Sequence, residues 1–150
     1  MSVDQQDKIE HQPMFICGAI HRQFRNNVTT ALSKQKLMTL EMSRALVAVQ
    51  ENQPLSQQQL ADIVQNERSA VKRMVDNLEK RGYVTASKAE NNKKLKMLTL
   101  TQQAEDELKA VKATIEPIET KMFECLTKQE SAEFFRLLRK LGAEHLGSGI

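Results

Sequence analysis

The chain has 150 residues, of which 40% are apolar and 27% charged, and its formal net charge is +3. This length and composition indicate one globular domain and exclude a fibrous or largely disordered protein. No apolar run approaches the roughly 20 residues that a membrane span needs, and the polar start does not resemble a secretory signal. We therefore expect a cytoplasmic protein with no membrane partner. The two cysteines form no CxxC motif, which excludes a disulfide scaffold or a zinc ribbon.

The positive charge is concentrated in the middle of the sequence. Residues 55–100 contain nine Lys and Arg against five Asp and Glu, a charge of +4, whereas the rest of the chain carries −1. This asymmetry suggests a polyanionic partner for the central segment. A solvated face on an ordinary domain is the simpler alternative.

Few glycines and prolines interrupt the sequence, so we expect a mostly helical chain. The first helix is predicted to begin near Pro13, because proline suits the first helical position. Its apolar residues recur at every fourth position, at Ile16, Ile20, Phe24 and Val28. A second helix is predicted to begin near Thr39, a usable N-cap, and to end before Pro54.

Two shorter helices with a tight break between them are predicted next. Ser56 and Gln59 have the spacing of a capping box, which opens the first of the pair. Asn66 is predicted to cap the second, which ends at Gly82, where a positive φ is easily adopted. The apolar side of the first helix shows Leu60, Ile63 and Val64, and that of the second shows Val71, Met74, Val75 and Leu78.

A basic β-hairpin is predicted to follow. Residues 83–87 and 95–100 are rich in strand-compatible residues, and the polar residues 88–94 between them predict a turn with a basic tip. Two helices followed by a hairpin have the order of a winged helix-turn-helix. In that motif the second helix enters the major groove of DNA and the first braces it across the backbone.

Two further helices are predicted after the hairpin. In the first, the apolar residues alternate steps of three and four, the spacing of a helix-packing seam. They are Leu108, Val111, Ile115, Ile118 and Met122. Pro117 is expected to kink this helix, and Thr127 with Glu130 forms a capping box that opens the last one. The predicted fold is mostly α with a small β-hairpin wing, a winged helix-turn-helix flanked by long dimerisation helices.

The exposed face of the helix before the hairpin carries residue types that contact DNA. Arg68 and Ser69 lie in its first turn, where arginine can bind guanine O6 and N7 and serine can meet a base or a phosphate. Lys72 and Arg73 suit phosphates. The predicted DNA-binding residues are Ser56, Gln57, Asn66, Arg68, Ser69, Lys72, Arg73, Lys88, Asn91, Asn92, Lys93 and Lys94.

The stretch from Leu60 to Thr101 resembles the multiple-antibiotic-resistance regulator (MarR) family of winged-helix transcription factors. The resemblance rests on Leu60-Ala61, on the block AVKRMVDNLEKRGYV at 70–84, and on the closing LTLT at 98–101. It implies a homodimer that binds a pseudo-palindromic operator in double-stranded DNA, usually as a repressor released by a small-molecule effector or an oxidant.

The same resemblance implies the organisation of the chain. Residues 1–150 form a single MarR-like domain. Within it, residues 13–34 and 101–146 are the dimerisation helices, and residues 39–100 are the winged helix-turn-helix DNA-binding lobe.

The wing departs from the family pattern at two places. Ala86 stands where family wings usually carry an arginine, and Asn92-Lys93-Lys94 replaces an Asp-x-Arg at the tip. Because lysine lacks the bidentate fork of arginine, we expect the wing to contact phosphates rather than to read the minor groove.

Four residues are candidates for a ligand or redox site. Cys17 and His21 are four apart on the first helix, and a neighbouring histidine can favour the thiolate. The peroxide-sensing branch of the family keeps a reactive cysteine near this position, so a thiol-based redox sensor is an alternative function. The simpler expectation is that Cys17 is a small buried hydrophobe beside a satisfied histidine. Arg25 and Arg44 are candidates for an acidic ligand in the family's pocket, although surface pairing is simpler.

Catalytic motifs are missing from the sequence. There is no GxSxG, no glycine-rich phosphate loop and no HExxH, and the three histidines lie in different regions. We therefore expect no enzyme, no metal site and no cofactor. A helical adaptor without DNA binding is the alternative of another class, which explains the long helices but not the basic hairpin.

Overall fold

The structure, a computed structural model, describes residues 8–64 and 66–147. Helices dominate this part of the chain, and the chain divides into two compact units between Ile115 and Glu116. A 3-10 turn at Ile9–His11 precedes the main elements. These are α1 (Pro13–Lys34), α2 (Leu40–Asn52), β1 (Leu55–Ser56), α3 (Gln57–Ile63), α4 (Arg68–Lys80), β2 (Val84–Ala89), β3 (Asn92–Leu100), α5 (Gln102–Phe123) and α6 (Lys128–Leu146). None of the helices in these ranges is long and apolar enough to cross a membrane.

The three strands form one antiparallel sheet in the order β1-β3-β2. The short strand β1, in which Leu55 lies opposite Leu98, was not predicted from the sequence. The hairpin strands are also longer than predicted, so that only Glu90 and Asn91 form the turn. Lysine and asparagine are weak strand formers, which is why composition assigned residues 88–94 to a turn.

The regular pairing of β2 with β3 stops short of the turn. Lys88 lies opposite Lys96, and the next pair joins Ala89 to Asn92. Residues 93–95 of β3 therefore have no partner on β2 and form a bulge. The bulge carries Lys93 and Lys94.

The core of the first unit lies between the sheet and α2, α3 and α4. Its buried cluster comprises Ala48, Val49, Leu55, Leu60, Ala61, Val71, Val75 and Leu98. The apolar face predicted for α4 is confirmed by the burial of Val71, Val75 and Leu78. The prediction for Ile63 is wrong, since this side chain is 46% exposed. The core takes Leu60 and Ala61 from α3, which leaves Ile63 on the opposite side of the helix from Ala61.

The helix ends confirm most of the predicted caps. The Thr39 hydroxyl accepts a hydrogen bond from the Met42 N–H, and the boxes opened by Ser56 and Thr127 have both of their bonds. The predicted cap at Asn66 is wrong. The N-cap of α4 is Glu67, and the Asn66 side chain accepts a hydrogen bond from the Glu67 N–H instead.

A single carboxylate joins three segments of the first unit. Glu107 of α5 accepts a hydrogen bond from the Tyr83 hydroxyl (O–O distance 2.6 Å) and another from the Met38 backbone N–H (N–O distance 2.7 Å). Tyr83 directly precedes β2, and Met38 directly precedes the N-cap of α2. Burial, together with the hydrogen bond to Glu107, raises the pKa of Tyr83 to about 12.

We expect Tyr83→Phe to lower the free energy of unfolding by about 1.5–3 kcal/mol at pH 7, because it removes a hydrogen bond to a carboxylate. The tyrosine's folded-state pKa lies above its ordinary value of 10.0. Its contribution is therefore complete below about pH 10 and is lost as the pH rises through about 12. Urea unfolding across this range should show the parent converging on the variant. A difference that stays constant up to about pH 12 would contradict this role of Tyr83.

The second unit contains the end of α5 and the whole of α6. Phe123, Phe134 and Phe135 contact one another, with ring centroids 5.1–6.0 Å apart. No residue of α6 is buried, and six large apolar side chains of the helix are 37–57% exposed. They are Phe134, Phe135, Leu137, Leu138, Leu141 and Leu146. Pro117 lies inside α5, which continues as one helix through it, and the expected kink remains a prediction.

Candidate nucleic-acid interface

An open groove of about 360 Å³ on the first unit brings together three elements. We call it the basic groove, and its lining residues are Gln57 and Gln58 of α3, Arg68 and Lys72 of α4, and Lys94, Leu95 and Lys96 of β3. Four of these seven side chains are basic. The positive residues predicted for a helix and for a hairpin therefore meet at one surface.

The core packing of α4 sets which of its residues reach this surface. Val71, Val75 and Leu78 are fully buried at helical spacing, and this fixes the rotation of the helix. Arg68 and Lys72 then lie on the exposed side. The free backbone N–H groups of the first turn add partial positive charge at the same end of the helix.

Two sets of polar contacts shape the wing beside the groove. The Asn92 side chain accepts a hydrogen bond from the Lys94 backbone N–H at 3.1 Å, a local turn that orders the start of the bulge. Further along β3, Lys96 Nζ lies 3.0 Å from Glu79 Oε2 and 3.9 Å from Asp76 Oδ1. The wing thus has direct ionic contacts with α4.

The groove unites only some of the predicted DNA-binding residues. It includes Gln57, Arg68, Lys72 and Lys94. The others that are exposed, but do not line it, are Asn66, Ser69, Arg73, Lys88, Asn91, Asn92 and Lys93. Ser56 is buried, and its hydroxyl accepts a hydrogen bond from the Gln59 N–H, so the structure assigns it to capping α3 rather than to the surface.

Three groove residues were missed from the sequence: Gln58, Leu95 and Lys96. The available signal for Lys96 was its two-residue spacing from Lys94, which is typical of side chains on one face of a strand. Its contacts with Asp76 and Glu79 join residues 17 to 20 positions apart, and local patterns do not reveal such pairs.

The ligand and redox candidates do not assemble into one site. His21 and Arg25 line a second open cavity of about 360 Å³, whose lining residues all belong to α1. Arg25 forms an ion pair with Glu41 of α2, as the simpler expectation had it. Cys17 and Arg44 are exposed and do not line this cavity. Among the described residues, no three His, Cys, Asp or Glu side chains are grouped to hold a metal ion.

The expected burial of Cys17 is wrong, since its side chain is exposed in the single chain. The first turns of α1 are exposed around it: the apolar residues Met14, Phe15, Ile16 and Ile20 are themselves 42–80% exposed. Cys125, which the sequence also suggested as a core residue, is exposed as well.

The central part of the chain matches a known family. The MarR family model matches residues 38–96. The HTH-type transcriptional regulator BilQ of Clostridium symbiosum is 29% identical over 87 residues, which are 58% of this chain and 60% of that protein. The matched segment therefore spans about three fifths of this relative.

Solved structures share the fold. MarR from E. coli superimposes with a TM-score of 0.75 at 18% identity, over 87% of this chain and 96% of that one. A probable transcriptional regulator from Pseudomonas aeruginosa gives a TM-score of 0.78 at 22% identity, over 89% and 99%. The predicted fold, mostly α with a small wing, is confirmed. Through its residues 38–96, and with the winged helix-turn-helix fold of these proteins, the chain belongs to the MarR family.

Proposed function

We propose that this chain is a transcriptional regulator that binds specific sequences in double-stranded DNA. The observation that carries the proposal is the basic groove, where Arg68 and Lys72 of α4 meet Lys94 of the wing. Two proteins of the same fold support it. A cysteine-to-serine mutant of MarR from E. coli was solved with operator DNA, and MepR from S. aureus was solved as a DNA complex.

The arrangement divides the work between α4 and the wing. The first turn of α4 enters the major groove, where Arg68 and Ser69 meet base edges. The start of α3 braces it against the backbone through Gln57, and Lys94 meets a phosphate of the flanking DNA. The depth of the major groove suits a helix, whereas the short wing with its lysines suits the charged backbone.

We further propose that the protein acts as a homodimeric repressor on a pseudo-palindromic operator. The exposed apolar side chains of α6, and those of the first turns of α1, support a second copy as the partner that covers them. A two-fold dimer places its recognition helices about 34 Å apart, or roughly ten base pairs. Release by a small effector is supported by PcaV from Streptomyces coelicolor, a protein of this fold that was solved with its natural ligand.

A gel shift with a random-sequence duplex at low salt tests the proposal against the adaptor alternative. We expect retarded complexes that disappear as salt rises, because phosphate contacts release counterions. A helical adaptor would leave the duplex unshifted at every salt concentration.

The wing lysines are expected to add affinity without sequence preference. Replacing Lys93 and Lys94 with alanine should weaken operator and random duplex by similar factors, because phosphates carry no sequence information. The slope of log K against log salt should fall by about one unit for each phosphate that a protomer no longer binds. Anisotropy titrations between about 50 and 200 mM salt measure both quantities. A change in sequence preference would instead make the wing the reader of bases.

A further inference from the structure

Lys96 lines the basic groove, but its ammonium group lies against two carboxylates. Its Nζ is 3.0 Å from Glu79 Oε2 and 3.9 Å from Asp76 Oδ1, and the Glu79 contact is a hydrogen bond. Asp76 and Glu79 are three residues apart on α4 and therefore share one side of the helix. The three side chains are 40–53% exposed, so this charge cluster lies at the surface beside the groove.

The two carboxylates follow directly on the basic residues of α4. Asp76 is four residues beyond Lys72, one helical turn further along the same exposed side. At physiological salt, charges interact over about 8 Å, so bare carboxylates here would repel phosphates that approach Lys72. A cation held between the two carboxylates cancels most of that repulsion.

We propose that Lys96 is a positioning residue of the DNA interface, which acts through Asp76 and Glu79 by neutralising them. It keeps the exposed face of α4 electropositive, and its own ammonium group does not bind a phosphate. This inference rests on the proposed DNA-binding function. It differs from the role of Lys94, which has no carboxylate contact among the interactions of the described chain.

A comparison of neutral variants separates the two roles of a lysine. Lys96→Met keeps the aliphatic stem and should weaken binding to a random duplex about three- to tenfold, because it leaves two carboxylates beside the phosphates. Adding Asp76→Asn and Glu79→Gln removes the repulsion. The triple variant should return to within about twofold of the parent and keep the parent's salt slope.

Lys109→Met provides a matched control. Lys109 also lies beside a carboxylate, with its Nζ 3.4 Å from Asp106 Oδ1, but it lies on α5 and does not line the groove. Its replacement removes the same charge, and we expect DNA affinity to change less than about twofold. Thermal melts of all variants verify that each is folded at the temperature of the titration.

Each result decides between the two roles. The inference is overturned if Lys96→Met binds like the parent. It is equally overturned if the triple variant stays as weak as Lys96→Met while the salt slope falls by about one unit per protomer, because Lys96 is then a phosphate contact. A parent protein that binds no duplex at all would overturn the proposed function and this inference with it.

Discussion

Replacing Arg68 with alanine is expected to remove most of the protein's preference for its operator. The loss should be about 1–3 kcal/mol on the operator and small on random duplex, because a base contact discriminates between sequences whereas a phosphate contact does not. Arg68 is placed for this role in the first turn of α4, at the edge of the basic groove. Anisotropy titrations with the operator and a scrambled duplex of equal length measure the difference.

Arg81→Ala is the matched control for this experiment. Arg81 is the C-cap of the same helix, where its Nε donates a hydrogen bond to Asn77, and it does not line the groove. We expect its replacement to leave the ratio of the two affinities unchanged. Arg68 would be only a phosphate contact if its replacement weakened both duplexes equally.

The second large effect is expected at α6, where Leu138→Asp should convert a dimer into monomers. Leu138 is 41% exposed in the single chain, and we propose that a second copy covers it. An unpaired carboxylate buried in an apolar interface costs several kcal/mol, which exceeds what one leucine contributes. Operator affinity should then fall by a factor of about a hundred or more, because each half-site is bound separately.

Light scattering measures the first part of this prediction. The parent should have about twice the 17.1 kDa mass of one chain at micromolar concentration, and Leu138→Asp should have the single mass. Lys140→Asp is the control, since it places the same charge on the opposite side of α6. A parent of single mass that binds the operator one chain at a time would contradict the proposed dimer.

Local sequence signals predicted the helices well. The capping boxes at Ser56 and Thr127 act within one turn, and Gly82 has the positive φ of 76° that its place after α4 requires. Such features depend on neighbouring residues alone, so they can be predicted before any tertiary contact is known.

Features that depend on distant residues could not be predicted in the same way. The strand β1 exists because Leu55 pairs with Leu98, more than forty positions later. The exposure of Ile63 follows from which face of α3 meets the sheet, and Glu67 rather than Asn66 is the N-cap because α4 begins at Arg68. These outcomes are set by packing between elements, which overrides local propensity.

The candidate site shows the same division. Helical periodicity was enough to place Arg68 and Lys72 on the exposed side of α4, and both line the groove. Lys96 was assigned to a strand by composition, and its ionic partners lie on another element. The joint position of α3, α4 and the wing therefore came from the structure, whereas the residue types came from the sequence.

Selection of bound sites from a pool of random duplexes tests the central claim most directly. We expect the parent to enrich two half-sites related by two-fold symmetry, with centres about ten base pairs or a multiple of that distance apart. The Arg68→Ala variant should lose information at the base positions that Arg68 contacts while retaining general affinity. A pool that stays random after repeated rounds, although the protein binds DNA, would contradict sequence-specific recognition by this chain.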